Sequence, residues 1–217
     1  MKNPIDHFWK LKLENVKETL ESNNFEVFIA DNSSEITSIV EDNIISSNDI
    51  KSMSWGGSMT FVKSGLYEVL KNKENCDILD TYDKSLSNDE KTEMRRQALL
   101  TDLFVTGTNA VTEDGFLVNL DMIGNRIGGL TFGPKNVLVL VGRNKIVADV
   151  ESAVSRIKEY VAPANAMRLD MKTPCAETGT CHDCKSPARI CNTWTITEKS
   201  FPKGRVKVIL INADLGF

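Results

Sequence analysis

Asn136-Val137-Leu138-Val139-Leu140-Val141-Gly142 decides the fold class. Its apolar run carries no polar alternation. A strand with one wet face alternates, whereas an unbroken apolar run between turn residues reads as a strand covered on both faces, the signature of a parallel sheet between helix layers. The flanks agree: Gly133-Pro134-Lys135 is a turn before the strand, and a helix is expected from Ile146 to Val161, with Val147, Val150, Val154, Ile157 and Val161 on one side.

Outward from this strand the same alternation recurs. LFVTG (103–107), CDILD (76–80), KSMSW (51–55) and FEVFIA (25–30) read as strands. Between them, helices are predicted over 3–22, from Ser33 onward with Ser33 or Ser34 as N-cap, over Met59–Leu70, and over about Asn88–Leu100. Two antiparallel hairpins are expected in addition. One lies in NAVTEDGFLVNLD (109–121), where Asp114-Gly115 marks the turn. The other joins TWTITEKS to RVKVILIN through FPKG. The class is therefore α/β, a largely parallel sheet flanked by helices, with hairpins and a cysteine-rich insertion. A single domain over residues 1–217 is the expectation, with residues 163–192 as an irregular insertion within it.

With 217 residues the chain can bury a substantial core without disulfides. Its 26 basic and 30 acidic residues give a net charge of −4, which argues against a nucleic-acid partner. No apolar run is long enough for a membrane span, and the first residues lack the continuous apolar segment of a secretory signal. A cytoplasmic location is expected.

Four of the five cysteines fall in TPCAETGTCHDCKSPARICN, as Cys175, Cys181, Cys184 and Cys191, spaced C-x5-C-x2-C-x6-C. In a reducing compartment such clusters are metal ligands or redox groups before they are disulfides. Thiolates are soft ligands, and four suit tetrahedral zinc or an iron–sulfur cluster. Zinc ribbons usually repeat the C-x2-C knuckle, which occurs once here, so a [4Fe–4S] cluster is favoured over zinc. His182 stands among the cysteines and can replace one as ligand. Cys76 lies on a predicted strand and reads as a small buried hydrophobe.

Polar loops follow several strands, where ligands gather in open α/β sheets. Gly57, Ser58 and Thr60 join a strand to a helix; Ser58 serves equally as an N-cap. Thr108 and Asn109 follow another strand. Glu113, Asp114, Asp121, Asn125 and Arg126 form a polar set, in which Asp121 and Arg126 can pair to orient a ligand or form a structural ion pair. Lys135 is a candidate for phosphate or carboxylate. These residues are the candidate ligand pocket, for a small carboxylate or a phosphorylated molecule. There is neither a Walker A loop nor G-x-G-x-x-G after a strand. With His7 and His182 the only histidines, no hydrolase triad is supported. Catalytic residues are not assigned; Glu113 and Asp121 are the carboxylates that can serve as nucleophile or base.

Asn109 to Gly115, Leu117 to Asp121, Gly124-Asn125-Arg126, Gly133 to Val137 and Val141 to Val147 together resemble the lactate-utilisation (LUD) domain family. Gly56 to Thr60 and Asp214-Leu215-Gly216-Phe217 also fit. The resemblance implies a fold similar to the ribose-phosphate isomerase and CoA-transferase superfamily. It also implies iron–sulfur oxidoreductase subunits as partners in lactate oxidation. Relatives of this fold class often associate, so a homo-oligomer is one option, and the sequence does not fix the oligomeric state. The four-cysteine segment marks a subgroup.

Two functions follow. The first is a small-molecule-binding protein of lactate or related hydroxy-acid metabolism, with an iron–sulfur centre that transfers electrons or is structural; it would be an oxidoreductase or a component of one. The second is a non-catalytic accessory subunit of a lactate-oxidising complex, with structural zinc.

Overall fold

A computed structural model describes residues 3–217. In chain order the elements are α1 (Pro4–Ser22), β1 (Glu26–Ala30), α2 (Ser33–Ser38, continued by a wider turn over Ile39–Ile45), β2 (Ser52–Trp55), α3 (Met59–Lys63), α4 (Leu66–Leu70), β3 (Asp77–Leu79), α5 (Asn88–Gln97) and β4 (Leu103–Gly107). There follow β5 (Ala110–Thr112), β6 (Leu117–Asp121), α6 (Asn125–Thr131), β7 (Asn136–Gly142), β8 (Ile146–Val147), α7 (Val150–Arg156), α8 (Ala162–Arg168), α9 (Pro174–Thr178), β9 (Thr193–Thr197) and β10 (Val206–Ile211).

Six strands form one sheet in the order β1-β10-β7-β4-β2-β3, with every pairing parallel. Strand β7 is central and covered on both faces, as its unbroken apolar run requires. Val137, Val139 and Val141 pack with Leu13, Val16 and Leu20 of α1. Leu138 and Leu140 point the other way, among Ile36, Val40, Phe61 and Leu66. Each of these side chains contributes about 1.5–3 kcal/mol by leaving water. Helix α1 begins at Asn3, whose side chain accepts the Ile5 N–H at 3.1 Å, and Pro4 suits the first turn. Its buried stripe is Leu13, Val16 and Leu20, while Ile5 and Phe8 in its first turns are exposed.

The hairpin at Asp114-Gly115 is formed by β5 and β6. The closing hairpin is not formed. Strand β9 pairs antiparallel with β6 in a second sheet, ordered β8-β5-β6-β9. Strand β10 instead enters the middle of the parallel sheet, where all six of its residues are buried. Its run Val-Lys-Val-Ile-Leu-Ile has the same two-faced character as β7, and FPKG carries the chain from one sheet to the other. The single polar member, Lys207, is satisfied at the strand's start by Asn136 Oδ1 at 3.1 Å and the Gly204 carbonyl at 2.8 Å.

The helix expected over 146–161 starts later and ends later. Ile146 and Val147 pair with β5, and Asp149 caps α7 by accepting the Ser152 N–H at 2.7 Å. A wider turn at Ile157–Val161 then leads into α8, so the helical path continues through Pro163 to Arg168. Pro163 has no N–H to give, and the widened turn before it accommodates that loss. No helix among the described residues is long and apolar enough to cross a membrane.

Candidate functional site

The carboxyl ends of β2, β4 and β7 open into a cleft of about 310 Å³. Two backbone loops form its rim. Ser58 caps α3 by accepting the Phe61 N–H at 3.2 Å. Its own N–H donates to the Tyr82 hydroxyl at 3.0 Å, and that hydroxyl donates to the Gly56 carbonyl at 2.8 Å. Burial pushes the Tyr82 hydroxyl up to about 12, so it stays a donor. Gly107, at the end of β4, lies against Ser58: a Cβ at 107 would fall 2.5 Å from Ser58 Oγ.

Arg126 organises the cleft from beneath. Nη1 donates to the Gly107 carbonyl at 3.2 Å and to Asn119 Oδ1 at 2.5 Å. Nη2 donates to Asn109 Oδ1 at 2.9 Å and to the Leu120 carbonyl at 3.1 Å. Nε lies 3.8 Å from Asp121 Oδ1. The other Asp121 oxygen receives the Arg126 and Ile127 N–H groups at 3.2 and 3.3 Å, which fixes the start of α6. Burial lowers the guanidinium's pKa, and Asp121 opposes that shift. The predicted Asp121–Arg126 pair therefore exists, but its donors are occupied by the protein. It holds β4, β6 and α6 in register.

Lys145 sits deeper in the same cleft, only 5% exposed. Its amine donates to the Thr108 carbonyl at 3.0 Å. Among the described residues no carboxylate lies within ion-pair distance of it. Burial, then the nearby Arg156 and Arg126 charges, lower its pKa to about 7. Arg156 itself is tied to the Asn109 carbonyl at 3.1 Å and the Asn144 carbonyl at 3.1 Å.

The last residues are stitched across this floor. Arg143 pairs with Asp214 at 3.0 Å, Asn144 Oδ1 accepts the Leu215 N–H at 3.1 Å, and Thr60 Oγ1 donates to the Leu215 carbonyl at 3.1 Å. Phe217 thereby lines the cleft.

Of the sequence-predicted ligand residues, Gly57, Ser58, Thr108, Asn109, Asp121, Asn125 and Arg126 line this one cleft. Thr60 is buried beneath it, bonded to Leu215. Three others lie elsewhere. Glu113 and Asp114 form the exposed hairpin tip, where Glu113 pairs with Lys12 and the Asp114 carbonyl accepts from Asn23 at 2.9 Å. Lys135 precedes β7, at the opposite end of the sheet, and lies 3.6 Å from Asp102. Sequence reasoning missed Lys145, Tyr82, Arg156 and Phe217. Only Arg143-Asn144-Lys145 and Asp214-to-Phe217, already noted as motif segments, carried a signal for this part of the site.

Cys175, Cys181, Cys184 and Cys191 wall a second, small cavity of about 20 Å³, together with Lys158, His182, Asp183 and Arg189. All four are free thiols. Cys175 stands on α9, a short helix where a loop was expected. Arg189 clamps the loop, donating to the Cys184 and Cys191 carbonyls at 2.5 and 2.7 Å and to Asp183 Oδ1 at 2.9 Å. Lys158 reaches the same Asp183 oxygen at 2.7 Å. Among the described residues no three His, Cys, Asp or Glu side chains converge for a single metal ion. Cys191 lines both cavities, as does Ala162, so the two sites share a wall. Cys76 lies apart, packed partly buried on the core with Ile78.

The fold and the cleft define an α/β protein with a cationic floor at the carboxyl end of a parallel sheet. The LUD domain family matches residues 13–211, and the chain belongs to that family, whose association is with lactate utilisation. A solved DUF162 family protein from Deinococcus radiodurans is similar at 16% identity and a TM-score of 0.35, covering 83% of this chain and 98% of that one. No curated protein matches the chain.

Proposed function

We propose that this protein binds a small carboxylate of the 2-hydroxy or 2-oxo acid class in the cleft, in lactate or related hydroxy-acid metabolism. Beside it, Cys175, Cys181, Cys184 and Cys191 would hold a [4Fe–4S] centre. The observation that carries the first part is Lys145: a buried amine with one carbonyl partner, flanked by two guanidiniums and met by no carboxylate. A buried cation without a counter-charge is costly, and an anionic ligand offsets that cost. Arg126 holds the loops around the ligand, and the Asn109 and Ser58 loops give the cleft its polar rim.

The cysteine cavity supports the second part. The four thiols surround a common space without converging as a single-ion site does. Four soft thiolates on one segment are a donor set that either an iron–sulfur cluster or zinc can use, and the single C-x2-C knuckle favours the cluster. Lys158 and Arg189 face the net negative charge such a centre brings, while Arg189 fixes two of the ligand-bearing residues by their carbonyls. When bound, the cluster would supply one-electron transfer or structural support at the shared wall.

Anaerobic purification followed by iron, sulfide and zinc analysis tests the centre. Brown protein with four irons per chain agrees with this reading. Colourless protein with one zinc, active in lactate oxidation only within a reconstituted complex, would replace it with the accessory-subunit reading. Calorimetric titration with lactate tests the cleft.

A further inference from the structure

The amine of Lys145 is placed for more than charge. It lines the cleft, and its one protein contact is an acceptor, the Thr108 carbonyl. Among the described residues no carboxylate is in reach to hold its last proton. The nearby Arg126 and Arg156 guanidiniums are already engaged by carbonyl and amide oxygens, so they act on the amine as fixed positive charges. Gly216 packs close against the amine: a Cβ there would stand 3.3 Å from Lys145 Nζ. Lysines become nucleophilic when desolvated beside another cation, because the neutral amine then exists near neutral pH. The pKa of about 7 agrees with that placement.

We propose that Lys145 is a carbonyl-reactive amine that condenses with the keto group of a small 2-oxo acid in the cleft. This rests on the carboxylate reading above. In the fraction of molecules in which the amine is neutral, its lone pair attacks C2 of the oxo acid and a C–N bond forms. The C2–O bond then breaks, and the oxygen leaves as water with the two amine protons. The product is an imine; no electrons leave, so no oxidant is required. The ligand's carboxylate offsets the positive floor during the addition.

Pyruvate with sodium cyanoborohydride, applied to the anaerobically purified full chain at pH 7, tests this by peptide mass mapping. The expected result is one reduced adduct at Lys145, formed about tenfold or more faster than at exposed Lys135, because few ordinary lysines are neutral at that pH. Lys145→Arg should abolish the adduct. Should that variant fail to fold, the wild-type map decides alone. Adducts spread evenly over surface lysines, or none at Lys145, would overturn the proposal. Lactate has the carboxylate but no carbonyl, so a parallel lactate titration separates the two claims. Lactate binding without pyruvate capture overturns the amine chemistry and leaves the carboxylate reading; loss of both removes both.

Discussion

Lys145 Nζ lies 3.0 Å from the carbonyl oxygen of Thr108, in a cleft where no described carboxylate reaches it. An amine so placed affects stability as well as binding. Its folded pKa, about 7, is below its ordinary value of 10.5. Between those two values the unfolded chain binds more protons, so this residue makes stability rise as pH rises through that window. Lys145→Met should therefore be more stable than wild type at pH 7 by about 1–4 kcal/mol, with the difference shrinking toward pH 10. Urea unfolding of both proteins across that range reads the effect.

Arg126→Ala should be the most damaging change in the cleft. It removes four hydrogen bonds, to oxygens of Gly107, Asn109, Asn119 and Leu120, leaves the Asn119 and Asn109 side-chain oxygens with only the Asn109 and Leu120 N–H groups, and deprives Asp121 of its cation. A loss of about 3–5 kcal/mol is expected, as for breaking a buried pair on one side. Arg126→Lys should also lose stability, since one ammonium cannot span these oxygens. Denaturant midpoints measure both.

Gly57, which lines the cleft, and Gly216, against Thr60 and Lys145, should respond differently to alanine. At Gly216, φ is +75° and a Cβ would fall 2.5 Å from Thr60 Oγ1. Gly216→Ala should cost about 1–3 kcal/mol and weaken carboxylate binding together. At Gly57 a Cβ would meet nothing within 4 Å. Gly57→Ala should stay within about 0.5 kcal/mol of wild type. Thermal unfolding of the pair makes the comparison.

Arg189→Ala removes the clamp on the Cys184 and Cys191 carbonyls without touching a thiol. Iron retained per chain after anaerobic gel filtration should fall about tenfold, as for loss of a supporting contact around ligands. Unchanged retention would show that the loop holds its shape without Arg189.

Much of the fold was legible because burial on two faces writes itself into the sequence. Val137 to Val141 announced a central parallel strand, and Asp114-Gly115 announced a hairpin. Strand β10 bears the same apolar signature, yet its nearness to β9 in sequence suggested a local hairpin; pairing with β1 and β7 is a long-range choice that turn residues do not reveal. The cleft was half legible. Polar residues after strands, such as Ser58 and Asn109, sit where α/β topology puts them. Glu113 and Lys135 are equally polar, but the chain path carries them to the hairpin tip and the opposite sheet end. Lys145 gave no sign of its burial, since a lysine before a predicted helix reads as a surface residue. The Thr108 carbonyl and the closing segment, which folds back over Asn144 and Thr60, lie against it in the fold.

Lactate titration by calorimetry into anaerobically purified wild-type protein and Lys145→Met tests the central claim most directly. Saturable binding to one site in wild type, weakened about tenfold or more in the variant, is the predicted result, in line with loss of a buried charged contact. No binding to folded wild type, or equal binding to both proteins, would contradict the assignment of Lys145 as the carboxylate's seat.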